Sequence, residues 1–310
     1  MSELPIVVVG EALVDVVVPT EGERSEAVGG SPLNVAVGLA KLGIPTLLIT
    51  RVGDDAHGRW VVDHVRESGA ELSATSVVPG TRTSTATAHL DEQRTARYEF
   101  DLVWDLDHHV LPDARGLHVG SLGATLLPGR LAVDGLVRQA QEYDLFVSYD
   151  PNVRSAFLGD SEETWGAVVE IASRSRLVKV SDEDLLLLRP GVPVAGTARE
   201  LLAGGTTELV VVTHGAGGAT AYAPDFSVHQ PAPATQVVDT VGAGDSFMAA
   251  LLAILDDWDV PADGPGAIDA LDEDRIAMLL RGAMAAAAVT CSRRGANPPT
   301  RQELPPTWPL

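Results

Sequence analysis

Val237-Val238-Asp239-Thr240-Val241-Gly242-Ala243-Gly244-Asp245-Ser246-Phe247-Met248-Ala249-Ala250 is the stretch that decides how this chain folds. Beyond Asp245, the apolar residues Phe247, Leu251, Ile254 and Leu255 recur at helical spacing and predict a helix packed on a core. A short β-branched run and a loop of small residues precede it. Gly242-Ala243-Gly244 therefore forms the mouth of a helix, where free N–H groups converge and the macrodipole amounts to about half a unit of positive charge. Small side chains let a polyanion come close to that backbone. Asp245, in the first turn, is kept ionised by the same field, as a general base must be. Taken alone, the segment reads as readily as an acidic helix cap with glycines that merely make the turn.

Working outward, Pro5-Ile6-Val7-Val8-Val9-Gly10 is apolar without alternation and predicts a buried strand. A second β-rich run covers Ala12 to Val18, followed by a polar, turn-like stretch to Gly30. Ser31-Pro32 and the run Asn34 to Leu42, closed by Gly43, carry the start and stop signals of a helix. Thr46 to Val52 reads as a strand and Gly58 to Ser68 as a helix; further strands are expected at Leu117–Val119, Leu145–Tyr149, Leu177–Val180 and Leu209–Thr213. That alternation implies parallel strands joined by crossover helices, hence a doubly wound α/β body. Thr83 to Leu90 and Ala96 to Phe100, around a polar turn at Asp91–Arg94, form a hairpin signature. The expected division is a body of residues 1–11, 31–82 and 103–310, with 12–30 and 83–102 pairing into a small β lid. Asp256 to Arg275 reads as an acidic surface excursion between two helices, and the proline-rich tail from Asn297 as irregular.

The 310 residues include 43 acidic and 22 basic ones, for a formal charge of −21. This excludes nucleic acid and an anionic membrane surface as partners, since both demand a concentrated cationic patch. A single cysteine, Cys291, rules out an internal disulfide and is expected to be a buried, inert thiol. The apolar N-terminus lacks a basic region and is broken by Glu11 and Asp15, so it is neither a signal peptide nor a membrane span; a cytoplasmic location is the default expectation.

Asp239-Thr-x-Gly-Ala-Gly-Asp245 together with Gly29-Gly30-Ser-Pro-Leu-Asn34 resembles the paired signatures of the ribokinase/PfkB carbohydrate kinases. Arg51-Val-Gly-Asp-Asp-x-x-Gly58, Asp150-Pro-Asn-x-Arg154 and Val211-Val-Thr-x-Gly215 resemble further blocks of that family, in the same order. The resemblance implies a ribokinase-like fold, a mainly parallel doubly wound sheet with a small β-sheet lid, and transfer of the γ-phosphate of ATP, with Mg²⁺, to a sugar hydroxyl. It implies Asp245 as catalytic base and the amides of Gly242, Ala243 and Gly244 as the anion hole. It places Asp15, Gly30 and Asn34 on the sugar, and Arg154 on the sugar or a phosphate. Lys179, Ser181, Thr213, Gly215 and Gly218 would line the nucleotide site. Asp184 stands where the family often has a Glu tied to Mg²⁺, and Asp239 near a site where many members bind K⁺. A homodimer through the lid is a further family-level expectation.

The start Gly10-Glu11-x-Leu-Val-Asp15 and the run Cys291-Ser-Arg-Arg-Gly-Ala-Asn297 look most like the fructokinase branch, with 2-keto-3-deoxygluconate kinase as the alternative. An acid substrate needs cations for its carboxylate. Tyr98-Glu99-Phe100-Asp101 in the second lid strand offers none, although Arg94 and Arg97 are near, and Phe100 and Trp104 suit a neutral sugar face. Other enzyme classes lack their signatures. There is no G-x-G-x-x-G after the first strand, no Gly-Lys pair for a Walker loop, and no ligand spacing around His57, His64, His108 or His109. A non-catalytic sugar or nucleotide sensor is the rival from another class, though it would be expected to have lost the base or the anion hole.

Overall fold

The computed structural model describes residues 4–91, 96–107 and 109–308. Its main sheet has nine strands, in the order Ser227–Gln230, Ala219–Tyr222, Leu209–Thr213, Leu177–Ser181, Phe146–Asp150, Gly116–Gly120, Ile6–Val9, Thr46–Ile49, Glu71–Leu72. All pair in parallel except the first two of that order, which return antiparallel. The alternation of strands and helices foresaw the parallel part. It missed the closing hairpin, because four-residue edge strands carry too few residues to show a period.

Each face of the sheet packs on its own apolar cluster. One contains the helices Ser31–Lys41, Ala243–Asp257 and Glu273–Cys291, and the other the helices Arg130–Glu142 and Ser161–Ala172. With both faces covered, Val7, Val8 and Val9 are fully buried, which is why that strand reads as an unbroken apolar run. The chain leaves Ile6–Val9 toward one edge and later resumes on its other side at Gly116–Gly120. Strand order reverses there, and such a switch opens a crevice at the carboxyl ends of the strands.

The two β-rich interruptions form a separate four-stranded sheet, in the order Ser25–Gly29, Leu13–Val18, Thr85–Leu90, Ala96–Asp101. Ser25–Gly29 corrects the expectation of a polar turn: its charges sit on an edge strand, where solvent takes one side. The hairpin tip, including Arg94, lies outside the described residues, as does His108. The block Arg51 to Gly58 is the joint between sheet and body. Asp55 caps the helix Ala56–Glu67 at Gly58 N and also accepts from the backbone and hydroxyl of Thr83. Arg51 donates to the carbonyl of Arg82 and pairs with Asp105.

The acidic excursion after Asp257 is tied down by a buried pair. Glu208 receives Arg176 and, through its two oxygens, the amides of Gly266 and Ile268, both at 2.9 Å. Cys291 is only half-buried, correcting the expectation of a buried thiol, since it ends its helix beside the loop that begins at Val238. Among the described residues no helix is long and apolar enough to cross a membrane.

Candidate active site

The helix predicted after Gly244 runs Ala243–Asp257, with Gly242 as its N-cap at φ 73°. That left-handed backbone excludes most side chains, and a Cβ there would also sit 2.6 Å from Cβ of Ala296. No side chain caps this helix, and although its Ala243 amide donates to the carbonyl of Thr240 at 3.2 Å, the first-turn amides that follow remain available to a ligand among the described residues. Asp245 is 7% exposed, with its carboxylate turned toward the helix Ser31–Lys41. Ser31 Oγ donates to Oδ1 at 2.6 Å and Asn34 Nδ2 to Oδ2 at 2.7 Å. Asn34 is thus no helix cap; that position belongs to Gly30, whose φ of 110° lets the chain turn into the helix beside the carbonyl of Glu11. One turn of helix presents Ser31 and Asn34 to the same carboxylate because residues three apart share a face.

Asp15 projects from the small sheet, its Oδ2 lying where a side chain at Gly29 on the neighbouring strand would have to go. Burial raises the Asp15 carboxyl above its usual range, opposed by Arg154 and reinforced by the charge of Asp245. Arg154, exposed on the loop after Phe146–Asp150, thereby shares a field with Asp15 and with Glu11. Glu11 was missed as a site residue. It is 6% exposed, accepts from the Gly123 amide at 2.7 Å, and burial pushes it up to about 7. The only signal in the sequence was an acid in an otherwise apolar run.

On the other side of Asp245, Lys179 and Asp150 form a buried ion pair at 2.9 Å. Burial works against the ammonium, yet the carboxylates of Asp150, Asp184 and Asp245 outweigh it and hold Lys179 above its ordinary pKa. Ser181 caps the helix Asp182–Leu188 in a capping box with Asp184, so its hydroxyl serves the backbone. Thr213 ends its strand, and Gly215 and Gly218 flank the short turn that follows. Behind that turn, unforeseen from the sequence, His214 bridges Asp182 and Thr220, and Thr220 meets His229. Asp239 accepts from the amides of Val241 and Gly295, which draws the approach to the helix mouth against the 293–297 segment.

Two aromatic expectations fare differently. Phe100 stacks edge-on against Phe157, with centroids 4.7 Å apart, so the small sheet touches the loop carrying Arg154. Trp104 is 5% exposed in the core, its indole N–H donating to Gly123 O at 3.0 Å; this corrects its assignment to a sugar face. A bulky indole is worth more buried in an apolar layer than at a wet cleft.

Against known proteins, residues 4–303 match the family described as pfkB family carbohydrate kinase. The chain belongs to that family. A pfkB carbohydrate kinase is a phosphotransferase with an alcohol acceptor, and the convergence of a helix mouth, a buried carboxylate and Asp15 is consistent with that chemistry. Among pfkB relatives, Fructokinase-1 of Oryza sativa subsp. japonica is 31% identical over 321 residues, covering 98% of this chain and 97% of its own. The crystal structure of fructokinase with bound ATP from Xylella fastidiosa superposes with a TM-score of 0.81 at 26% identity, covering 97% of this chain and 95% of that one. A fructokinase double mutant from Vibrio cholerae O395, in a form with fructose, ADP and potassium ion bound, gives a TM-score of 0.77 at 26% identity and covers 94% of each chain.

Proposed function

We propose that this kinase transfers the γ-phosphate of ATP to a hydroxyl of a neutral ketohexose, a fructokinase reaction. The observation that carries the proposal is the position of Asp245: a buried carboxylate in the first turn of an uncapped helix, sharing a field with Asp15 from the small sheet. The sugar oxygen attacks the γ-phosphorus as the bond to the bridging oxygen breaks. Its proton passes to Asp245, and ADP leaves with the bonding pair. The amides of Gly242, Ala243 and Gly244 take up charge on the phosphoryl oxygens. To act, Asp245 exchanges a hydrogen bond from Ser31 or Asn34 for one from the substrate hydroxyl, so Asn34 then turns to the sugar beside Asp15 and Gly30.

Among the described residues, Glu11 and Asp15 share the field of one cation, Arg154, and Asp245 adds further negative charge beside Asp15. Excess negative charge favours a neutral sugar over an acid. Relatives from Oryza sativa subsp. japonica and Xylella fastidiosa that match over nearly the whole chain are named fructokinases, which points the same way. Arg154 is also the observation that supports the second reading, a 2-keto-3-deoxy sugar acid held by its guanidinium.

Lys179, Thr213, Gly215 and Gly218 line the nucleotide side in this proposal, with Ser181 contributing through the helix that it caps. The Asp184 carboxylate is a hard oxygen donor suited to a Mg²⁺ that keeps most of its waters. Bound Mg²⁺ neutralises phosphate charge, and Asp184 would hold it. Asp239, an ionised carboxylate between two loops, would support a K⁺ beside the helix mouth. The small sheet, 12–30 with 83–102, acts as a lid over the sugar and as the surface for a second copy of the chain.

The test is ADP formation with fructose, ribose and 2-keto-3-deoxygluconate under equal conditions. Fructose should give the highest kcat/KM. A tenfold preference for the acid would move the assignment to the second reading, and tight ATP binding without turnover of any sugar would make the protein a sensor.

A further inference from the structure

Glu11 follows the strand Ile6–Val9 where strand order reverses, and the segment that begins at Ser121 follows the neighbouring strand Gly116–Gly120. Three turns meet there backbone to backbone. A Cβ on Gly123 would stand 2.6 Å from Cα of Gly10, and one on Gly30 would stand 2.5 Å from the carbonyl oxygen of Glu11, so no side chain fits between them. The Glu11 carboxyl folds into this joint. Its Oε2 accepts from the Gly123 amide at 2.7 Å, and the carbonyl of Gly123 receives the Trp104 indole. Ser121 holds a left-handed backbone at φ 52°, which strains a non-glycine residue. Its buried hydroxyl lies against the same carboxyl yet completes no hydrogen bond among the described residues.

An acid is a costly choice for this joint. Glutamine has the same reach and would accept from the Gly123 amide with no charge to bury. What glutamine cannot do is ionise, and burial pushes Glu11 up to about 7, where a carboxyl exchanges its proton at neutral pH. Among the described residues, the groups that face it are the amides of Glu11 itself and Gly123, the Ser121 hydroxyl, and Arg154 from the loop after Phe146–Asp150, all of which oppose that rise. Arg154 acts on Asp15 as well, so the two carboxyls draw on one guanidinium.

We propose that Glu11 is a positioning residue at the floor of the sugar crevice, and that the sugar binds together with a proton on it. This rests on the kinase reading and deepens it by coupling the sugar site to pH. The uncharged acid accepts from Gly123 through one oxygen and donates to Ser121 Oγ through the other, which locks the turns and leaves the charge of Arg154 to Asp15. The anion instead brings negative charge into the crevice and competes with Asp15 for Arg154. A neutral sugar seated over these turns excludes water from Glu11 and disfavours its anion further, so binding takes up a proton. By linkage, loss of that proton weakens the sugar: affinity is full below about 7 and declines as pH rises above it.

The test measures the sugar KM of the full chain at saturating ATP·Mg²⁺ from about pH 6 to about pH 8.5, in the wild type and in E11Q, with the best sugar from the assay above. The wild-type KM should rise about fivefold or more across that range. E11Q, uncharged throughout, should lose the rise and reach a KM at the alkaline end at least about threefold below the wild-type value, while the two kcat profiles stay parallel. A brace that served the fold alone would not bind sugar more tightly once replaced. Titration calorimetry of the sugar with the wild type at about pH 8, in buffers of different ionisation enthalpy, should show uptake of close to one proton. Absence of that uptake overturns the proposal whatever the variant does, as does an E11Q whose KM climbs with pH like the wild type's. Wild-type protein that turns over no sugar at any pH would instead remove the kinase reading itself.

Discussion

Ser31 and Asp245 stand 214 positions apart in the chain, and Ser31 Oγ donates to Asp245 Oδ1 at 2.6 Å inside the core. In the proposed reaction the hydroxyl orients the carboxylate and is displaced or shared when a sugar hydroxyl arrives. Ser31→Ala should therefore lower kcat by about tenfold, the worth of one hydrogen bond to a charged group, and leave nucleotide affinity unchanged. Steady-state rates and ADP titrations separate the two; an unaltered kcat would show the bond to be incidental.

Asp245→Asn keeps the volume and the hydrogen-bond reach but cannot take a proton. We expect kcat to fall by about 10²–10⁴-fold with ATP binding largely intact. Loss of nucleotide affinity at preserved turnover would mean that the residue organises the helix mouth and does no proton chemistry.

Gly242→Ala places a side chain at φ 73° and 2.6 Å from Cβ of Ala296. The helix mouth must shift, so kcat should drop by more than about tenfold, whereas Gly43→Ala, at φ 87° with no atom within 4 Å of its Cβ position, should cost only about 1 kcal/mol of stability. Rates and thermal melts of the two variants check this directly.

Glu11 titrates near 7 in the folded protein because burial disfavours its anion, against 4.5 for the ordinary side chain. The native state then holds more protons than the unfolded one between those values, so this group's contribution falls as pH rises through the window, by on the order of 3 kcal/mol in all. Urea unfolding at pH 5 and pH 8 should show that loss in the wild type and a flatter profile in Glu11→Gln. Equal slopes would mean that Glu11 is ionised throughout.

Glu208→Ala leaves the buried Arg176 without its partner and frees the amides of Gly266 and Ile268. Stability should fall by about 3–5 kcal/mol while kcat and KM at low temperature stay unchanged. Equilibrium urea unfolding reads the first and initial rates the second.

Much of this was open to a reader of the residues alone. The helix mouth at Gly242–Gly244 declared itself because spacing, small residues and an acidic first turn are all local signals. The parallel strands did so because burial on both faces writes an unbroken apolar run into each of them. Short edge strands such as Ala219–Tyr222 left no such trace, and the polar Ser25–Gly29 looked like a turn because only its neighbour makes it a strand. Trp104 showed a different limit: an aromatic near the cleft in sequence is drawn into the core when a cavity there fits it.

By itself, then, the sequence determined the class of fold, the helix with the glycine-lined mouth and the carboxylate in its first turn, since periodicity and capping act within a few residues of each other. Only the tertiary structure decided that Ser31 and Asn34 hold that carboxylate, that Asp150 meets Lys179 and that Glu11 lies buried against Gly123. Those pairings depend on strand register and on how elements far apart in the chain pack together, and no local pattern encodes which distant partner will fill a given place.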